Sequence, residues 1–497
     1  MLSMLTSDGA RLMVATARRA QYNAPPPPAR AWQAAFADLP REHGFEPLHV
    51  EGVVPGDLVG TLYRNGPAMY QAQGMAYQHL FDGDGGVMAV RLDGAKAKGA
   101  VRLVQSDGLI AERRAGKPLY PGFGTPAPSR LRWVMNRDIK NVANTNVIAW
   151  QGRLFALMEA ALPVELHPET LDTMGERDFH GTIRTSFSAH PHRVDRRKAS
   201  YNFGMRFGRF PVLDLYELPD QGPIRHLKRI RLSWNAMIHD FIATERHLVF
   251  FVPPVRLKIL PTLLGSGSLA ENLTWERSLG TEIIVVPIDD PDAVIRYRVP
   301  AFYQWHFANA FDGADGSIVA DVIRYPDWEN SLLLDSLQQR PFEKIATGRL
   351  TRVVLEPHLR RMEVARMDDV PAEFPRIDPR REGQAATYSY MATSSCAVNA
   401  AWDEVSKVEL ATGKREVIAF DGQHDYVSEP VFAPRIGAAP DTEDDGYILT
   451  QVYFGGRGCS GIAIHDARRI ADGPVGTVLF DHHLPPSFHG NWVPAAV

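Results

Sequence analysis

From about residue 49 to the C-terminus, the chain is a long succession of short apolar and β-branched runs broken by turn dipeptides. VEGVVP, GTLYRNGP, VMAVRLDG, VRLVQSDG, TNVIAWQGRLFALME, HLVFFVPP, TEIIVVPIDD, SIVADVIRYP, TRVVLEP, KVELATGKREVIAF, GYILTQVYF and GIAIHDA follow one another. DG, NG, GG and QG pairs fall between many of them, where hairpins need residues that tolerate positive φ. Few long helical periodicities intervene. Such a chain has little besides strands from which to build a core, so the pattern predicts a large all-β architecture. A β-propeller suits the length, since about seven blades of roughly 65 residues, each a four-stranded sheet, would use it up. No tight internal repeat is visible.

Two stretches, 110–140 and 253–280, break the pattern and read as mixed helix and loop. Long insertions in a β framework tend to sit on one face and to carry function. Within 253–265, Val255, Leu257, Ile259, Leu260, Leu263 and Leu264 stand beside Arg256 and Lys258. That composition suits a lipid interface and equally a cap packed on the β unit. Upstream, Pro25 to Pro28 read as an extended linker after a short tail, and AWQAAFADLPRE as one helical stretch. Residues 1–44 are therefore read as tail, linker and helix, and 45–497 as the β unit.

The formal net charge is -4 and no basic block stands out, which argues against nucleic acid as a partner. The two cysteines, Cys396 and Cys459, form no CxxC pair. They point to reduced thiols in the cytoplasm rather than to a disulfide framework. No apolar run is long enough to span a bilayer, and the N-terminus lacks the order of a signal peptide.

Four histidines stand in mostly apolar or aromatic surroundings: His190 in SFSAHP, His239 in MIHDF, His306 in QWHFANAF and His489 in SFHGNW. Four neutral imidazoles converging on one point would suit a divalent transition metal better than calcium or magnesium, which prefer oxygen ligands. There is no HExxH, so the fold must assemble any such site. Spacing alone does not single these four out of the 17 histidines.

YRNGP (63–67), HLFDGDGGV (79–87), KNVANTNV (140–147), LFALMEAALPVEL, SAHP, MIHDF, WHFANAFD, EFPRID (373–378), SEPVF (428–432) and FHGNWVP occur in this order. Through them the chain resembles the carotenoid cleavage oxygenase (retinal pigment epithelial membrane protein) family from about residue 45 onward. It looks most like that family's bacterial apocarotenoid oxygenases. The resemblance implies a seven-bladed propeller with one Fe(II) per chain on its axis and a helical and loop dome above. It implies His190, His239, His306 and His489 as iron ligands. Glu159, Glu373 and Glu429 then hold the second ring nitrogens, as carboxylates behind metal-bound histidines do. Thr145 takes the place of a small β-branched residue that crowds one open position, leaving the other for O2. His192 is expected not to ligate, and its replacement by alanine to change little. His482 and His483 are expected in solvent or behind the ligands.

The reaction so implied is cleavage of a C=C bond of a lipophilic apocarotenoid by O2, giving two carbonyl products, one retinal-like. Tyr70, Phe123, Met158, Phe307 and Tyr325 are candidate walls of the substrate tunnel. The enzyme would take its polyene from the inner face of a membrane, docked through 253–265. The alternative substrate is a stilbene or phenylpropanoid of lignostilbene or resveratrol type. Against it, Leu103 aligns where that branch has a phenol-binding tyrosine, and Lys140 lies near but not at its lysine. A metal-free propeller that only binds a partner is a third reading, disfavoured by the full set of histidines and glutamates.

Overall fold

The apolar runs become strands and the turn dipeptides become hairpins. Asn146–Trp150 and Arg153–Leu157, for example, pair antiparallel across Gln151 and Gly152, whose φ angles of 49° and 72° match a two-residue hairpin turn. The structure, a computed structural model, describes residues 31–328, 348–394, 402–439 and 441–495. The N-terminal tail, the Pro25 to Pro28 linker and Cys396 lie outside the described residues.

The architecture is all-β. Three four-stranded antiparallel sheets follow in chain order, beginning at Asn146–Trp150, His192–Val194 and Ile242–Ala243. A seven-stranded sheet then runs from Tyr303–Asp312 to Arg415–Ala419. Its hinge is the 16-residue strand Arg361–Arg376, which pairs with Arg349–Glu356 through its first part and with Tyr388–Thr393 through its last. Two five-stranded sheets join the chain's ends: His49–Gly52 pairs with Gly476–Leu479, and Val59–Met69 with His489–Pro494.

Strands buried on both faces explain the near-continuous apolar runs: Leu248 to Val252 in the strand His247–Val252 are all buried. Phe203, Phe241 and Phe250 fill one such interface, the last two stacked at 5.1 Å. Each buried phenylalanine contributes roughly 1.5–3 kcal/mol.

The two insertions form a cap. It holds the helices Asp107–Ala115, Arg130–Asn136 and Ile259–Leu263, and also a ribbon, Val255–Leu257 with Leu273–Trp275, that the mixed helix-and-loop reading did not include. Trp133 Nε1 donates to Thr262 O at 2.7 Å and links the insertions. Val255 and Leu257 are buried, whereas Leu260 and Leu264 are 68% and 48% exposed beside Leu131 and Met135 at 72% and 73%. AWQAAFADLPRE is helical only as a 3-10 turn, Ala31–Phe36, which buries Trp32 and Phe36 against Tyr426. The stretch expected as a helix thus packs on the β unit from Ala31 onward. Among the described residues, no helix is long and apolar enough to cross a membrane.

Candidate metal centre

His190 lies just before strand His192–Val194, and Asn146 Nδ2 holds its loop by donating to Ala189 O at 2.7 Å. His239 lies just before strand Ile242–Ala243, and His489 opens strand His489–Pro494. His306 sits within Tyr303–Asp312, where the register shifts between Gln304 and Phe307. Strict alternation would send neighbours to opposite faces. The irregularity instead lets both Trp305 and His306 face the same cavity.

The four rings converge. Nε2 of His239 lies 3.0 Å from that of His190 and 3.1 Å from that of His306, and His306 Nε2 lies 3.2 Å from that of His489. All four candidate ligand atoms fall within 4.8 Å of one another. Behind them, His306 Nδ1 donates to Glu373 at 2.5 Å and His489 Nδ1 to Glu429 at 2.9 Å. Glu159 Oε1 is 2.5 Å from His239 Nδ1, close but off the line of a good hydrogen bond.

Glu373 also accepts from Tyr325 OH at 2.7 Å and Phe374 N at 2.8 Å, and Glu429 from Gly490 N at 2.9 Å and Arg376 at 3.1 Å. Burial would raise the Glu429 carboxyl, but Arg376 and His489 outweigh it and hold it at about 2. Burial lowers His489 to about 4 despite Glu429, and burial also holds His190 well below the usual histidine value, helped by the other three rings.

An imidazole that donates from Nδ1 and carries no extra proton presents a lone pair at Nε2. His306 and His489 are held this way, and unprotonated Nε2 atoms that stand 3.0–3.2 Å from their neighbours repel one another unless a cation stands between them, so the residues fit a metal. The neutral nitrogen donor set is that of a transition-metal site.

His192 is not part of this set. Its ring nitrogens reach Glu382 at 2.6 Å and Asp240 at 2.9 Å, and these carboxylates overcome burial and raise it to about 10. Alanine there would leave Asp240 buried without its cation, so a silent replacement is no longer the expected outcome. His482 is half-buried against His43 at 3.2 Å, and His483 donates to Asp38 O. Neither is free in solvent or behind the ligands.

A cavity of about 680 Å³ opens above the rings. Thr145, Phe123, Met158 and Tyr325 line it. Thr145 Oγ1 donates to Asn144 Oδ1 at 3.2 Å, and Asp82 anchors the Phe123 loop by accepting from Phe123 N and Thr125 Oγ1. Tyr70 and Phe307 do not line the cavity. Tyr70 packs with Trp32 and Leu80, and Phe307 turns away into the core beside Phe251, past the register shift.

Trp305, Phe374, Trp402, Tyr426 and Trp133 form walls that the sequence reading missed. Only Trp305 and Phe374 had a signal, standing beside His306 and Glu373. Leu103 is buried between sheets, away from the cavity. Lys140 does line it, but its Nζ is taken up by Asp84 at 2.6 Å, Glu112 at 2.7 Å and Tyr77 OH at 2.9 Å.

A β framework that gathers four histidines from distant segments, three of them with a carboxylate behind, defines a metal-dependent class. The family described as retinal pigment epithelial membrane protein matches residues 36–494, and the chain belongs to it. It is 32% identical to the apocarotenoid-15,15'-oxygenase of Synechocystis over 93% of this chain and 96% of that protein. It is 28% identical to the isoeugenol monooxygenase of Pseudomonas nitroreducens, over 90% of this chain and 94% of that one. A cobalt-substituted Synechocystis apocarotenoid oxygenase superposes with a TM-score of 0.86 at 31% identity, covering 94% of this chain and 98% of that one.

Proposed function

We propose that this protein is a non-haem Fe(II) dioxygenase that cleaves one C=C bond of an apocarotenoid with O2, R–CH=CH–R′ + O2 → R–CHO + OHC–R′, one product being retinal-like. The observation that carries the reading is the convergence of four histidine Nε2 atoms beneath an aromatic cavity. Similarity to the Synechocystis apocarotenoid oxygenase favours this substrate class. His190, His239, His306 and His489 would hold the iron, with Glu159, Glu373 and Glu429 fixing three of the rings. Ferrous iron, when bound, supplies the one-electron reactivity toward O2 that no side chain has.

The chain's own residues do the rest. Thr145 narrows the space over the rings. Phe123, Met158, Trp305 and Phe374 exclude water and restrict where an extended polyene can lie. Contacts between Asn146–Trp150, His489–Pro494, Asp425–Pro434, Arg361–Arg376 and Tyr303–Asp312 support the inference that the sheets ring a common axis as a seven-bladed propeller. The exposed Leu131, Met135, Leu260 and Leu264 on the cap support peripheral docking of a cytoplasmic enzyme on the inner membrane face, where its substrate dissolves.

Similarity to an isoeugenol monooxygenase supports the second reading, a phenylpropanoid or stilbene alkene. Iron content of the purified protein and mass-spectrometric analysis of products from a panel of apocarotenals, stilbenes and isoeugenol test both readings. Aldehydes from apocarotenals are expected. Turnover of isoeugenol or stilbenes alone would replace the first reading by the second, and protein without metal or turnover would sink both.

A further inference from the structure

The carboxylate of Asp240 lies directly behind the histidine cluster, and nothing above gives it a role in the site. Its side chain is 3% exposed. Oδ1 accepts from Phe241 N at 2.7 Å and from His192 Nε2 at 2.9 Å, and Oδ2 accepts from Phe307 N at 3.0 Å. Two of these partners neighbour other members of the cluster. Phe307 follows His306, and His192 stands two residues from His190, with Pro191 fixing the φ between them. Asp240 itself follows His239. One carboxylate therefore ties together three chain segments brought from three different sheets. From its other side His192 is held by Glu382 at 2.6 Å, and its ring meets Phe241 edge-on at 4.9 Å.

This attachment differs in kind from that of Glu159, Glu373 and Glu429. Those carboxylates orient individual rings through Nδ1 but do not set the spacing between the segments that carry them. Before metal arrives, the ring nitrogens must be held close against their mutual repulsion, and a buried carboxylate that bridges the neighbouring segments, accepting from the His192 ring and from Phe307 N, resists that repulsion. Preorganisation of this sort contributes to metal affinity without any contact with the metal.

We infer that Asp240 and His192 form a staple that presets the spacing of His190, His239 and His306. They are positioning residues, acting through the backbone of their neighbours. The inference rests on the metal reading above.

The test uses the purified full chain, stripped by chelator and titrated with Co2+ in competition with a chelator of known affinity. Cobalt's visible spectrum reports ligand geometry, and circular dichroism reports the fold. Wild type is expected to bind one Co2+ per chain. Asp240→Ala and His192→Ala are each expected to bind it about 10–100-fold more weakly, with an altered spectrum. Asp240→Asn, which can still accept from Phe307 N, should recover part of the loss.

Asp312→Ala is the control for generic destabilisation. Asp312 is a partly buried carboxylate that accepts from His247 at 2.7 Å and Arg246 N at 3.1 Å, outside the cluster. It should lower the melting temperature and leave cobalt affinity unchanged. If Asp240→Ala does not fold, His192→Ala, expected to weaken cobalt about 10–100-fold, and Asp240→Asn, expected to weaken it several-fold, decide the matter. Wild-type affinity and spectrum in those two variants, or an equal loss in Asp312→Ala, would overturn the staple while leaving the metal reading intact. Failure of the wild type to bind Co2+ would overturn both.

Discussion

Glu373→Gln offers the sharpest view of how the ring-holding carboxylates work. The wild-type carboxylate accepts three hydrogen bonds while buried: from His306 Nδ1 at 2.5 Å, Tyr325 OH at 2.7 Å and Phe374 N at 2.8 Å. Burial would raise its pKa, but these partners hold it below the usual carboxylate range. The Phe374 donor belongs to a residue at φ 55°, a left-handed conformation that a phenylalanine adopts only when held there.

A glutamine keeps the shape but has one oxygen acceptor group and one NH2 donor. Tyr325 OH donates to Oε1, whereas His306 Nδ1 and Phe374 N share Oε2. A glutamine oxygen in the Oε2 place keeps both as a neutral acceptor only, its NH2 facing the Tyr325 hydroxyl; an oxygen in the Oε1 place sets the NH2 against the N–H groups of His306 and Phe374. In the second placement the ring must lose its partner, or move its proton to Nε2 and forfeit the lone pair aimed at the metal. A hydrogen bond to a charged group is worth about 1.5–3 kcal/mol. At about 1.4 kcal/mol per tenfold, its loss translates into a metal affinity roughly 10–100-fold lower.

Tyr325→Phe removes only one of the three donors and leaves His306 attached. It should cost about 1 kcal/mol of stability and weaken metal binding far less. Cobalt competition titrations and melting curves on both variants give the comparison. Equal affinity of Glu373→Gln and wild type, or an equal loss in both variants, would refute the argument that Glu373 acts by fixing the His306 tautomer.

Replacing any one of His190, His239, His306 or His489 by alanine should abolish both stoichiometric metal, read by elemental analysis, and alkene cleavage; a variant retaining both would remove its histidine from the ligand set. Leu260→Glu with Leu264→Glu should cut liposome sedimentation and turnover of long apocarotenoids while sparing a small soluble alkene, because these two side chains are the exposed apolar ones of their segment. Unchanged sedimentation would reduce the segment to a packed cap. Phe241→Ala, opening a void beside Phe203 and Phe250, should destabilise by about 3–5 kcal/mol in chemical denaturation; a loss under 1 kcal/mol would mean that this interface collapses freely.

What the sequence determined by itself was whatever a local pattern can carry. Strands such as His247–Val252 and hairpins such as Gln151-Gly152 follow from residue preferences a few positions apart, so the all-β class was legible. The motif resemblance picked out four histidines and three glutamates, and in the structure Glu159, Glu373 and Glu429 stand beside Nδ1 of His239, His306 and His489. Convergence itself was not legible, since nothing local ties residue 190 to residue 489.

Nor was side-chain direction where the ladder departs from regularity. Simple adjacency placed Phe307 in the tunnel, but the register shift turns it to the core and leaves Trp305 at the cavity. Tyr70 was lost for a similar reason, because the Ala31–Phe36 turn packs over it and no spacing rule reports that. Leu260 and Leu264 face outward while Val255 and Leu257 face in, a split decided by the ribbon that their segment forms. His192 looked dispensable in the sequence because its partners, Asp240 and Glu382, stand 48 and 190 residues away. Burial and partnership are properties of the assembled chain, and they decided which polar residues surround the metal site and how firmly each is held.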